Sequence, residues 1–233
     1  MKSQYDNRLP ELRANLRTVW AQVTIEDMVR GQAWYADAQA VVREWSRHYG
    51  LSIETVASVV AALSPQCRWG RNLVCATNVL DERPMSLGEG AFPENYRKAE
   101  AILRDRADSI LPYFKSAPKV ASFQQNLQGN MEFVTVDTHA AQAALNDPTA
   151  KISLKWAAYV VFASAFASNA AEVGLTPAEY QAILWVAWKR LYPPADKRSR
   201  IRKAKVTKYR KGRRQYDDSS IVDGSAHRQG SPA

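Results

Sequence analysis

The sequence predicts an all-α domain followed by a basic tail, and three observations carry that prediction. Before residue 194, apolar residues recur at three- and four-residue steps through most of the chain, as one face of a helix requires. Start and stop signals for helices bracket those runs. The one β-rich step, Phe133-Val134-Thr135-Val136, is too short to build a sheet. About eight helices are therefore expected over residues 20–193, between an N-terminal segment (1–19) and a flexible tail (194–233).

Residues 1–18 are polar, with Arg8, Arg13 and Arg17 spaced as on a short helix. The first firm pattern is 25–50, where Trp34, Ala38, Val41, Val42 and Trp45 fall at helical steps and Gly50 supplies a stop. Ser52-Ile53-Glu54-Thr55 has the form of a capping box ahead of the apolar run 56–63. Pro65 ends that helix, because proline disfavours α geometry in the residue before it. The string from Arg68 through Asn72 leads into a helix over 72–80, and a loop over 81–94 follows. In 96–111, Ala99, Ile102, Leu103 and Ile110 point to a core with charges between them. This run ends near Leu111-Pro112, the turn Lys115-Ser116-Ala117-Pro118 follows, and another helix opens at Lys119. The step 133–136 then delivers Asp137 to a further helix start. Residues 153–174 are expected as one long buried helix. Thr176-Pro177 opens the last one, with the threonine as N-cap, running to 191 ahead of Pro193-Pro194. From Ala195 large apolar residues are almost absent, so no packing is expected there.

A chain of 233 residues can bury a sizeable core. No run of 18 apolar residues and no charged-then-apolar leader is present, so neither a membrane span nor a signal peptide is expected. Two cysteines, Cys67 and Cys75, suit a reduced cytoplasmic protein and are too few for a four-cysteine iron–sulfur cluster. No histidine or cysteine pair at ligand spacing indicates zinc, and no cofactor is expected. The net charge of +9 is unevenly spread. Residues 195–233 carry 12 Lys and Arg against 4 Asp, whereas the preceding 194 residues carry 20 basic against 19 acidic side chains. Such a tail attracts phosphate backbones by counterion release, without regard to sequence.

The order helix, turn, helix, then an acid at a helix start resembles the helix-hairpin-helix DNA glycosylases of the endonuclease III and 8-oxoguanine glycosylase superfamily. In that family a lysine opens the helix after the hairpin and an aspartate follows within a V-D-x-H string. The matching residues are Lys119 and, in Val136-Asp137-Thr138-His139, Asp137, eighteen positions later. The resemblance spans 20–192 in helix order, and 60–76 and 110–145 in recognisable letters. It implies a DNA glycosylase with AP-lyase activity, acting as a monomer on double-stranded DNA with a flipped target base.

The chemistry suits those residue types. A base inside the stack must be extruded into a pocket, a carboxylate near the sugar stabilises oxocarbenium-like charge, and a partly neutral lysine can attack the anomeric carbon. The resemblance thus makes Lys119 the nucleophile and Asp137 the supporting acid. Asp137 also suits an N-cap, worth about 1 kcal/mol. His139 is expected to orient structure rather than move protons. Ser64 and Gln66 match the family's L-S-x-Q segment beside the lesion pocket, Trp69 is placed to stack on a base, and Arg68, Arg71 and Asn72 to touch phosphates. The turn Lys115-Ser116-Ala117 is the expected hairpin grip on DNA. Where the family carries two glycines, this chain has Lys115 and Ala117, so either the turn is built differently or Lys115's side chain meets the phosphate. Tyr180, Gln181, Trp185 and Trp188 are expected to pack, and Lys189 and Arg190 to answer the dipole of their helix.

The pattern looks most like compact members encoded by bacterial viruses, which would act in the host cytoplasm. Two alternatives accompany the glycosylase expectation: an enzyme of base hypermodification on the same fold, and a non-catalytic DNA-binding protein.

Overall fold

The computed structural model describes residues 5–83, 91–152 and 154–193, and it is all-α: among the described residues there is no strand. The basic tail expected over 194–233 lies outside the described residues, as does half of the 81–94 loop, residues 84–90. The helices are α1 (Leu9–Trp20), α2 (Ile25–Tyr49), α3 (Ile53–Leu63), α4 (Trp69–Leu80), α5 (Pro93–Arg104), α6 (Pro118–Gln128), α7 (Thr138–Leu145), α8 (Trp156–Glu172) and α9 (Pro177–Leu191), with a 3₁₀ turn, Asp6–Arg8, before α1. Among the described residues no single helix is long and apolar enough to cross a membrane.

Two apolar cores lie within one compact unit that ends at Tyr192. The first gathers α3 to α6 around the inner face of α2. Its centre is α3, whose Val56, Ala57, Val59, Val60, Ala61, Ala62 and Leu63 have no exposed surface. A helix apolar on every side belongs in a core. The second core gathers α1, α7, α8 and α9 around Phe162, Phe166, Tyr180 and Trp188. The N-terminal segment packs into this second core. Leu12, Leu16 and Val19 on α1 are fully buried, Asn15 donates to the Ala144 carbonyl (3.1 Å), and Arg13 and Arg17 both meet Glu172 on α8.

Antiparallel packing of α2 on α9 joins the two cores. Gly31 makes it possible, because a Cβ there would sit 2.5 Å from the Ile183 Cα. On either side of that contact, Tyr35 donates to Gln181 (3.1 Å) and Arg190 grips Asp27 (2.7 Å).

Helix ends follow local chemistry. Thr24 and Asp27 form a reciprocal capping box on α2, and Gly50 ends that helix at φ +60°. Thr176 and Glu179 repeat the box on α9. The box expected at Ser52 is only half formed: Ser52 caps Thr55 N–H (3.1 Å), but position N3 holds a threonine, which cannot return a carboxylate. Helix α5 stops at Arg104 rather than near 111. Beyond it, buried Gln124 replaces the helical bonds by accepting from Ile110 N–H (3.4 Å) and donating to the Asp108 carbonyl (3.1 Å) and the Ser58 hydroxyl (2.6 Å).

Candidate functional site

The step before α7 has no partner strand, and side chains fasten it instead. Asn126 donates to the Phe133 carbonyl (2.8 Å) and accepts from the Thr135 hydroxyl (2.7 Å). The Tyr159 hydroxyl accepts from Val136 N–H (3.0 Å) and donates to the Val134 carbonyl (2.6 Å). Val134 and Val136 are both buried. Two tight backbone turns, Val136 N–H to Val134 and Asp137 N–H to Thr135 (both 3.1 Å), together with side chains on α6 and α8 thus hold the residue that follows.

That residue, Asp137, is anchored through both oxygens. Oδ1 accepts from Ala140 N–H (2.8 Å) as the N-cap of α7, and Oδ2 accepts from the Trp185 indole N–H (2.9 Å) on α9. Asp137 is half-buried. The cap and the positioned acid are one and the same carboxylate.

Lys119 enters from the other core, in the first turn of α6 after Pro118. It is half-buried, and burial pushes its amine below the ordinary lysine value while the charge of Asp137 pulls it partly back. None of the ion pairs among the described residues joins the two. Asp137 is therefore near enough to act on the amine through its field without neutralising it. A first-turn lysine also faces the positive end of its own helix, which disfavours its charged form.

Aromatic rings from four helices line the seam. Trp34 lies 5.5 Å from Trp69, 6.0 Å from Phe123 and 6.3 Å from Trp185 between ring centroids. His139 meets Trp185 edge-on at 6.5 Å, a packing contact. On the far side of the indole, Lys189 Nζ sits 3.7 Å from the Trp185 ring centroid.

The remaining expected residues divide. Gln66 stands exposed at φ +55° in the turn between α3 and α4, with Arg68 and Arg71 exposed after it. Trp69 opens α4, three residues earlier than expected, and turns into the aromatic seam. Asn72 departs from expectation. It is 1% exposed and donates to the Val60 carbonyl (3.0 Å), so it ties α4 to α3 instead of facing a phosphate. Its Oδ1, like the Ser64 hydroxyl, is buried with no hydrogen-bond partner. In the turn, Lys115 and Ser116 are exposed, but the Ala117 N–H donates to Phe114 (3.1 Å) and the Lys115 carbonyl accepts from Trp156 (3.0 Å). The Ala117 amide is thus unavailable as the backbone phosphate donor that a glycine-bearing hairpin would provide.

The model of a family described as "Family of unknown function (DUF7178)" matches residues 1–191. The chain belongs to that family. No curated protein and no solved structure matches it. The stretch shared with the DUF7178 family contains the described helices α1 to α9 and every side chain of the site.

Two residues of this DUF7178 site escape a reading by composition. Trp185 was expected to pack with Tyr180, Gln181 and Trp188, which are 1%, 4% and 1% exposed. It is half-buried and lies on the neighbouring face of α9, where it holds Asp137. The signal in the sequence is the four-residue spacing of Trp185 and Lys189, which puts an indole beneath an amine. Lys189 itself was assigned to the helix dipole. Among the described residues, groups of three or more His, Cys, Asp or Glu able to hold a metal ion are absent.

Proposed function

We propose that the protein is a DNA glycosylase with AP-lyase activity, acting on a damaged or modified base in double-stranded DNA on a helix-hairpin-helix-like scaffold. The observation that carries this reading is the Lys119 amine, which burial drives toward its neutral, nucleophilic form beside a carboxylate fixed at both oxygens. In the reaction, Lys119 Nζ bonds to the anomeric carbon as the bond from that carbon to the base breaks. The electron pair leaves with the base, which takes up a proton. The amine proton passes to Asp137 or to water, the sugar ring opens to a Schiff base as its oxygen takes up a proton, and loss of a C2′ proton to water expels the 3′ phosphate and nicks the strand. Asp137 stabilises positive charge on the sugar throughout, and its two hydrogen bonds mean that it need not reorganise. Half-buried Trp34, Trp69 and Trp185, with Phe123 packed behind them, supply the π faces that an extruded base stacks on. The basic tail adds affinity for any phosphate backbone.

The test is borohydride trapping on duplexes carrying a panel of altered bases. A covalent adduct that disappears in Lys119→Ala supports the lyase. Base release without an adduct moves the nucleophile to water and leaves Asp137 in its role. Binding without release on every substrate favours a non-catalytic DNA-binding protein, and a retained base of altered mass favours a modifying enzyme.

A further inference from the structure

The last turn of α9 presents two neighbouring cations with unlike surroundings. Arg190 is committed: it donates to both oxygens of Asp27 (2.7 to 3.2 Å) and to the Gln22 carbonyl (2.7 Å). Among the described residues, Lys189 has no carboxylate in ion-pair contact. Its amine lies against the face of Trp185 at 3.7 Å, and the edge of that indole donates to Asp137. A cleft of about 330 Å³ opens here, walled by Arg30, Trp185, Val186 and Lys189, with Glu26 and the Asp27–Arg190 pair completing it.

The charges in this cleft do not cancel. Asp27 is answered by Arg190, and Glu26 reaches Arg30 only at 3.4 Å on the exposed side of α2, where salt screens such a pair. Lys189 is left over. Burial pushes its amine below the ordinary lysine value, Asp137 pulls it back, and the fields of Arg30 and Arg68 push it down again. Cations from α2 and α9 thus line one cleft, and an incoming anion relieves their repulsion. An ion pair with phosphate would also hold this amine more strongly than the ring face alone.

We infer that this cleft is a phosphate subsite, with Lys189 as its central cation and Arg30 beside it. Its place beside the reacting sugar rests on the proposed roles of Lys119 and Asp137; the chemistry of its ligand does not. The inference also gives a phosphate contact that the 115–117 turn, with its Ala117 amide committed, does not supply through that backbone group. The phosphate can come from the DNA backbone or from a free polyphosphate, and the two sources are separable.

The test uses the full 233-residue chain. Affinity for a duplex bearing a stable abasic-site analogue is measured across salt concentrations for the wild type, Lys189→Gln, Lys189→Arg and Arg30→Gln. In parallel, protection of Lys189 from acetylation by inorganic pyrophosphate is read by peptide mass. If the backbone is the source, Lys189→Gln weakens the duplex about 10-fold and lowers the salt slope by about one, and Lys189→Arg restores both. If a free polyphosphate is the source, pyrophosphate protects Lys189 in the wild type and fails to in Arg30→Gln. An unchanged slope together with no protection overturns the subsite. Trapping at Lys119 reports separately on the glycosylase reading: adducts with an unchanged slope and no protection sink only the subsite, and a changed slope without adducts sinks only the lyase.

Discussion

Replacing Trp185 with phenylalanine removes the indole N–H that holds Asp137 Oδ2 while keeping an aromatic ring in the seam. A hydrogen bond to a charged acceptor contributes about 1.5–3 kcal/mol to stability. Asp137 is half-buried, so water can partly take over, and the low end, about 1.5 kcal/mol, is expected. The smaller ring also weakens the contact with Lys189, adding roughly 0.5 kcal/mol. A total near 2 kcal/mol corresponds to a fall in Tm of roughly 4–8 °C for a domain of this size. The assay is urea and thermal unfolding of wild type, Trp185→Phe, Asp137→Ala and the double variant. Asp137→Ala loses the Ala140 cap as well, so it costs more on its own, and the coupling energy between the two sites should be about 1–2 kcal/mol. Strict additivity, or a Trp185→Phe variant as stable as the wild type, would refute the claim that α9 positions this carboxylate.

Four further outcomes are expected. Gly31→Ala puts a methyl 2.5 Å from the Ile183 Cα, backbone against backbone, and should cost about 1–3 kcal/mol in urea unfolding; a neutral result would mean that α2 and α9 are not so closely packed. Tyr159→Phe removes the hydroxyl that ties α8 to the Val136 N–H and the Val134 carbonyl and leaves only their own 3.1 Å bond, with an expected loss of about 0.5–1.5 kcal/mol and faster amide exchange at 134–137; unchanged exchange there would count against this anchor. Burial would raise the Asp27 carboxyl, but hydrogen bonds from Arg190 and Thr24 outweigh it and leave the group below the usual carboxylate range. That contribution is therefore present above the unfolded-state value and fades as pH falls through the folded one. Arg190→Met leaves the buried Asp27 carboxylate without its exposed charged partner, so it should cost about 1–3 kcal/mol at neutral pH and should move acid unfolding to higher pH; an unmoved acid limb would contradict this. Finally, borohydride adduct formation should rise with pH along a limb below the ordinary lysine value, and Asp137→Asn should shift that limb lower still, because the carboxylate favours the protonated amine. A limb at the ordinary lysine value would show that the amine is not desolvated.

Local chemistry in the sequence foretold much of this fold. The periodicity and Gly50 fixed the end of α2, and Thr176-Pro177 fixed the start of α9, since caps and breakers act within a few residues. Asp137 was recognisable as a helix start for the same reason. What escaped depends on distant partners. The break after Arg104 is a left-handed turn at Arg106 (φ +46°), where the Ala107 N–H returns to the Ile102 carbonyl (3.0 Å); no glycine marks it, and the segment beyond is held by Gln124, fourteen residues after Ile110. Asn72 looked like a phosphate ligand because its exposure is set by how α4 lies on α3. The spacing of the arginines on α1 suggested a short polar helix, but not that Arg13 and Arg17 meet Glu172 on α8. Trp185 shows the same limit within one helix: the turn-by-turn pattern separates its face from that of Trp188, but only the fold tells which face meets the acid.

Lys119 and Asp137 are rooted in different cores, and the crossing at Gly31 is the seam between them. A molecule that touches both groups stitches the two halves of the protein to each other. Occupancy should therefore make them melt as a single cooperative block, with the gain in heat resistance felt as far away as α1 and α5, neither of which touches the guest.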